Sequence, residues 1–123
     1  MNIDKLTEKI IGCAFLVHKT LGSGFLEKVY ENAMRVELQR SGCSVTQQAP
    51  LSVYYGNQIV GEYLADLIVN DLVIVEIKAI RALAKEHEVQ LVNYLNATCI
   101  NDGLLINFGN SVQVKRKFKN YIK

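Results

Sequence analysis

Residues 65–80, ADLIVNDLVIVEIKAI, form the most apolar stretch of this 123-residue chain, yet Asp66, Glu76 and Lys78 interrupt it. Five of the six residues from Leu72 to Ile77 are Leu, Val or Ile, the pattern of a strand buried on both faces. Charges are rarely buried unless they are paired or bind a metal. Asn70-Asp71 supplies turn chemistry, so the stretch reads as a hairpin whose parity decides what the charges do. In an antiparallel pair, directly opposite residues point to the same face. A two-residue turn at Asn70-Asp71 sets Val75 opposite Asp66 and sends Glu76 to the other face. A three-residue turn over 70–72, or a bulge, sets Glu76 opposite Asp66 instead, with Cβ atoms about 4.5–5.5 Å apart. Lys78 shares the face of Glu76 in either case.

The two turns imply different chemistry. Facing carboxylates can bind one hard cation such as Mg²⁺, and a lysine beside them suits phosphodiester hydrolysis. The metal activates a water and neutralises phosphate charge, while the ammonium orients the nucleophile or stabilises developing negative charge. The plain alternative is a salt bridge between Lys78 and one carboxylate at the exposed end of the strand.

Upstream of the hairpin, Asp4 is a candidate helix cap, and Ile10, Ile11, Ala14, Phe15, Val17 and Leu21 recur at helical spacing. The LGSG stretch at 21–24 punctuates that helix. A second helix runs from about Phe25 to Arg40, with Leu26, Val29, Tyr30, Ala33, Met34, Val36 and Leu38 as its apolar positions, and Ser41-Gly42 stops it. Residues 44–55 and 58–69 read as strands joined by a Gly56-Asn57 turn. Downstream, the buried strand covers 72–79. Ala82 to Ala97 reads as a helix whose face carries Leu83, His87, Gln90, Leu91, Tyr94 and Leu95. Leu104 to Phe108 and Val112 to Phe118 read as two further strands, joined at Gly109-Asn110. The order ααβββαββ, with no linker or repeat, predicts a single α+β domain over 1–123 with a mixed sheet and helices packed against it.

Composition sets the outer bounds. Half of the residues are hydrophobic and 21% are charged, as expected of a folded globular protein. No apolar run reaches the roughly 18 residues that span a membrane, and MNIDKLTEK lacks the apolar region of a signal peptide. Cys13, Cys43 and Cys99 are odd in number and widely spaced, which predicts reduced thiols and a cytoplasmic protein. The net charge of +2 is too small to argue for nucleic acid by itself. The final KRKFKNYIK holds five basic residues and no acidic one, either as a solvated strand and tail or as a phosphate-contacting edge.

Asp66, then Glu76-x-Lys78, then Gln90-x-x-x-Tyr94 on a helix, resembles the PD-(D/E)XK nuclease superfamily and its helical QxxxY extension. Gly24-Phe25-Leu26-Glu27-Lys28-Val29-Tyr30 matches GxxExxY, the signature that names one small branch of it. The likeness continues through VHKTLGSGFLEKVYENAM, YLADLIVNDLVIVEIKAI, HEVQLVNYLNAT and GLLINFG, in order, from residue 5 to about 110. It implies a restriction-endonuclease-like αβββαβ core with an extra N-terminal helix and a C-terminal strand, and an active site where the central strands splay. It also implies Mg²⁺ or Mn²⁺ as cofactor. Asp66 and Glu76 would be metal ligands, Glu27 the helical acidic residue of the first motif and a further ligand, and Lys78 the catalytic lysine. Gln90 and Tyr94, at i and i+4, would position the scissile phosphate or support the metal shell, with His87 three residues earlier on that face.

Each residue also has a plainer reading. Glu27 suits the positive end of the second helix; Tyr94 suits a core with its hydroxyl satisfied. His18 lies on the stripe of Ile11 and Ala14 and reads as a hydrogen-bonded core histidine. His87 is balanced between lining the site and a solvated helix face. The branch usually has GPG where this chain has Gly22-Ser23-Gly24, and Ala65 replaces the literal proline of the superfamily name. Neither change removes a functional position. The sequence therefore points to a metal-dependent phosphodiesterase acting on DNA or RNA, with no membrane partner, and with a homodimer or partner protein supplying target recognition. The competing readings are a non-catalytic nucleic-acid-binding or regulatory module that keeps the fold, and an enzyme for small phosphodiesters.

Overall fold

The sheet is built around the strand that the hairpin announced. In the computed structural model, which describes residues 2–119, the strands are β1 (Val45–Tyr55), β2 (Gln58–Val69), β3 (Val73–Lys78), β4 (Asp102–Phe108) and β5 (Val112–Phe118). The helices are α1 (Ile3–Leu21), α2 (Glu27–Arg40) and α3 (Lys85–Asn96). Spatial order follows chain order, β1-β2-β3-β4-β5, and only the β3–β4 pair is parallel. Parallel neighbours need a crossover, which α3 supplies. This is the mixed α+β sheet of a restriction-endonuclease-like fold, with α1 and β5 added to the αβββαβ core.

Helices cover both faces, so β3 is buried on both. Val73, Val75 and Ile77 pack with Leu104, Ile106 and Phe108 beneath Leu6, Ile10, Ala14 and Val17 of α1 and Tyr30, Met34 and Leu38 of α2. Ile74 and Leu105 face the other way, onto Leu91, Tyr94 and Leu95 of α3. The second layer is close: a Cβ on Gly103 would lie 2.9 Å from Leu91 Cδ1, so α3 rests directly on β4.

The β2–β3 turn has the odd length. Val69 pairs with Val73, Ile68 with Ile74 and Leu67 with Val75, leaving residues 70–72 as a three-residue connection. Asn70 and Asp71 both take left-handed backbone, φ 52° and 57°, which these residue types tolerate better than most. The Leu72 N–H closes the turn on the Val69 carbonyl at 3.0 Å. Asn70 Oδ1 also accepts from the Ser44 N–H at 2.8 Å, tying the turn to the start of β1.

Two helix expectations shift. Asn2 rather than Asp4 caps α1, its Oδ1 accepting from the N–H groups of Asp4 (2.8 Å) and Lys5 (3.3 Å). Asp4 lies in the first turn and pairs with Arg116 at 3.0 Å. On α2 the buried stripe is narrower than the apolar pattern predicts. Tyr30, Met34 and Leu38 are buried, whereas Leu26, Val29 and Val36 stay exposed and Glu31 takes a core-facing place. The α1–α2 turn needs Gly22 and Gly24 at φ 76° and 103°. Tyr30 locks it: the hydroxyl donates to the Gly22 carbonyl at 2.6 Å, and its ring stacks on Phe108 with centroids 4.7 Å apart.

Candidate active site at the splayed strands

The β2–β3 ladder stops at Leu67 and Val75, and one residue further on the two carboxylates take over the backbone pairing. The Asp66 N–H donates to Glu76 Oε2 at 2.7 Å, and the Ile77 N–H donates to Asp66 Oδ2, also at 2.7 Å. The strands are thus held apart by side chains, and Asp66 and Glu76 face each other across the gap. Glu76 continues the row of Ile74 on the α3 side and is only 5% exposed. Lys78, two residues further along the same face, is half-buried.

Burial dominates the electrostatics. Glu76 is pushed up from 4.5 to about 8, first by loss of water and next by the charge of Asp66. Asp66 rises from 3.8 to about 6, again mainly by burial, with Glu31 and Glu27 adding to the effect. Lys78 and the two backbone N–H groups pull the other way and do not cancel the rise. Two carboxylates that ionise this reluctantly lack positive charge. Their oxygens are hard donors, and a divalent cation is the partner such a pair fits. Among the described residues no group of three or more His, Cys, Asp or Glu side chains converges for an ion.

The remaining sequence candidates lie around the pair. Tyr94 is buried, and burial, with the charges of Glu76 and Asp66 adding to it, raises its hydroxyl above the usual range, so it lies within electrostatic reach of the carboxylates. Gln90 Nε2 donates to the Tyr94 hydroxyl at 3.0 Å while Gln90 itself stays exposed. Those two, with Tyr63 and His87, line an open cavity of about 350 Å³. His87 also does cap work: its Nδ1 accepts the Ala84 N–H at 2.9 Å. Glu27 opens α2 and remains exposed, acting on both carboxylates through its charge alone. His18 Nε2 meets the Gly109 carbonyl at 2.9 Å, the hydrogen-bonded histidine expected there.

Sequence reading missed Glu31 and Gln48. Glu31 is 2% exposed, and its Oε2 collects Gln47 Nε2 (2.6 Å), Gln48 Nε2 (2.9 Å) and Lys28 Nζ (3.1 Å). Its signal was its place, three residues before Met34 and seven before Leu38, where a core-facing helix position should be apolar. Tyr63, with its ring 5.3 Å from that of Tyr94, had no such signal.

The basic C-terminal segment is largely paired where it is described. Arg116 bridges Asp4 and Asp102, and Lys117 meets Glu88 at 3.0 Å. The final basic residue, Lys123, lies outside the described residues.

Fold and site together define a sheet that splays at facing carboxylates, followed by a lysine and overlooked by a helix that carries glutamine and tyrosine. A family model described as the PD-(D/E)XK nuclease superfamily matches residues 4–120, so the chain belongs to that superfamily. A comparison with curated proteins finds no match. Among solved structures, the crystal structure of SSO0001 is similar in fold, with a TM-score of 0.63 at 15% identity. The likeness covers 77% of this chain and 52% of that one, so this chain spans about half its length. Nucleases of this superfamily generally use divalent metals such as Mg²⁺. No helix among the described residues is long and apolar enough to cross a membrane.

Proposed function

We infer that this chain is a metal-dependent phosphodiesterase that hydrolyses DNA or RNA, in the GxxExxY branch of the superfamily. The observation that carries the reading is the mutual clasp of Asp66 and Glu76: a half-buried and a buried carboxylate, face to face, both pushed toward their neutral forms. Asp66 and Glu76 would hold Mg²⁺ or Mn²⁺, with Glu27 approaching from solvent. When bound, the ion supplies water activation and neutralisation of phosphate charge. Lys78 shares the Glu76 face, where its ammonium can hold the attacking water or stabilise charge on a non-bridging phosphate oxygen. Tyr94, oriented by Gln90, offers a hydroxyl to the phosphate from the opposite wall. Gly24 and Tyr30 serve the signature structurally, by fixing the turn that starts α2 at Glu27.

The same proposal takes 1–123 as one nuclease domain in the cytoplasm, where Cys13, Cys43 and Cys99 stay free thiols. Target choice falls to a second copy or a partner protein. The direct test is cleavage of single- and double-stranded DNA and RNA with Mg²⁺ or Mn²⁺, together with calorimetry of both ions. A protein that cuts none of them and binds neither ion would sink the reading. The second reading, a binding or regulatory module with the nuclease fold, is favoured by the donor set being a pair of carboxylates with Glu27 left exposed. Salt-dependent binding to nucleic acid that survives Glu76→Ala, without turnover, selects it.

A further inference from the structure

Gln48 occupies a conformation that its side chain does not favour. It lies in the middle of β1, flanked by the pairs Gln47–Leu67 and Ala49–Ala65, and therefore opposite Asp66. Its φ is 52°, the left-handed region, where Gly, Asn and Asp are usual. Glutamine has no comparable local hydrogen bond to offset that geometry, so something outside the strand must hold it.

The holding contacts are visible. Gln48 Nε2 donates to Glu31 Oε2 at 2.9 Å and, more weakly, to Asp66 Oδ1 at 3.4 Å. Ionised carboxylates only accept hydrogen bonds, so the amide nitrogen must be the end that lies between them. Glu31 is itself fixed, being buried on α2 and bonded by Gln47 and Lys28. The backbone change has a second effect. In a regular strand, residues 47 and 49 would share a face. Here Gln47 bonds Glu31 and Asn32 on α2, while Ala49 packs in the cluster beneath α3. Across the ladder, Leu67 belongs to the α1–α2 core and Ala65 to the α3 core. Both strands therefore rotate about the Gln48–Asp66 pair, and Asp66 stands at the pivot.

We propose that Gln48 is a positioning residue for Asp66: anchored on Glu31, its amide fixes the Asp66 carboxylate in the orientation that accepts the Ile77 N–H and faces Glu76. Any catalytic consequence rests on the hydrolytic reading above, whereas the positional role does not. A residue that only made the strand twist would need the left-handed backbone and no amide. Gln48→Gly separates the two, because glycine keeps the backbone without strain and removes the amide.

The test uses the full chain and site-resolved amide hydrogen exchange. Ile77 reports on Asp66, because its N–H bonds that carboxylate, and Val75 and Leu105 report on the surrounding core. Gln48→Gly should speed exchange at Ile77 by about tenfold or more while the core amides change by less than about twofold. Its melting temperature should not fall, whereas Gln48→Ala, which keeps the strain, should melt lower. If wild type cleaves nucleic acid, Gln48→Gly should lower kcat with little change in KM. Unchanged exchange at Ile77, or exchange that rises only in step with Val75 and Leu105, overturns the proposal even if activity is lost. A wild-type protein that neither cleaves nor binds Mn²⁺ defeats the hydrolytic reading alone, and the Ile77 amide still decides the role of Gln48.

Discussion

The central strand β3 meets a buried polar arrangement on each side, and the two are opposites. On the β4 side, Asn107 is fully buried and satisfied. Its Oδ1 accepts the Ile80 N–H and its Nδ2 donates to the Ile80 carbonyl, both at 2.9 Å, with Gln113 Oε1 a further acceptor at 3.1 Å. On the β2 side, a buried Glu76 faces a half-buried Asp66, both resist ionisation, and two N–H groups, the Gln48 amide and a nearby lysine offset that penalty only in part. Both arrangements join β3 to what flanks it. The neutral clamp completes the hydrogen bonds of a chain leaving the sheet, which is stability. The carboxylate pair is a local instability kept in place by the rest of the fold, and such instability is what a ligand of opposite charge can relieve.

The comparison fails most decisively if the carboxylate side proves chemically idle. Lys78→Ala and Glu76→Gln should each lower the rate of nucleic-acid cleavage by about 10²–10³-fold while the fold is retained. Initial rates on labelled DNA and RNA, with circular dichroism alongside, decide this; rates within a few-fold of wild type remove the distinction. The clamp side should behave in reverse. Asn107→Ala strands the backbone groups of Ile80 and should cost about 2 kcal/mol, or about 8 °C in melting temperature for a chain of this size, with the residual activity per folded molecule kept.

A finer test is the effect of pH on the metal-free protein. Glu76 has its folded pKa raised, so between 4.5 and about 8 the folded state binds more protons than the unfolded one. Stability from this group therefore falls as pH rises through that window and levels off above it. Asp66 adds the same trend between 3.8 and about 6. Glu76→Gln removes the ionisation and should raise the melting temperature by about 4–8 °C at pH 9, and little at pH 4. A variant less stable than wild type at pH 9 would mean that the pair is a net structural asset. The smallest expected effect is on proton uptake and release: Mg²⁺ or Mn²⁺ binding at pH 7 should expel about one proton, measurable by calorimetry in buffers of different ionisation enthalpy.

Much of this was legible because it is written in periodicity. The element order, the doubly buried β3 and the face shared by Glu76 and Lys78 all follow from local spacing. The hairpin left one alternative open, and the odd turn over 70–72 resolved it. What stayed hidden depends on contacts between distant segments. Glu31 could have been suspected from its place in the α2 stripe, but its partners come from β1. Nothing local announces a left-handed Gln48, because that residue type rarely adopts it. The apolar side chains of α2 misled in the other direction: Leu26, Val29 and Val36 fit the helical period but lie outside the face that the sheet covers. Where α3 begins was hard to read for a similar reason. Its first turn is closed by the backbone of Ala84 and the imidazole of His87, a pairing without the usual capping residue.

The three-residue turn at 70–72 gives the hairpin the property of a reading frame. Insertions and deletions at an exposed turn are ordinarily the cheapest changes a domain can accept. Here, loss of Leu72 with the three-residue turn kept would draw Val73 into the turn and slide β3 by one residue against β2, exchanging the faces on which its side chains are displayed. Glu76 would then stand opposite Leu67, toward the α1–α2 core, and Ile77 would take its place before Asp66. Length variation among natural relatives should therefore spare this turn even where its residues drift, since the spacing across it, more than the identity of any one residue within it, keeps the two carboxylates in phase.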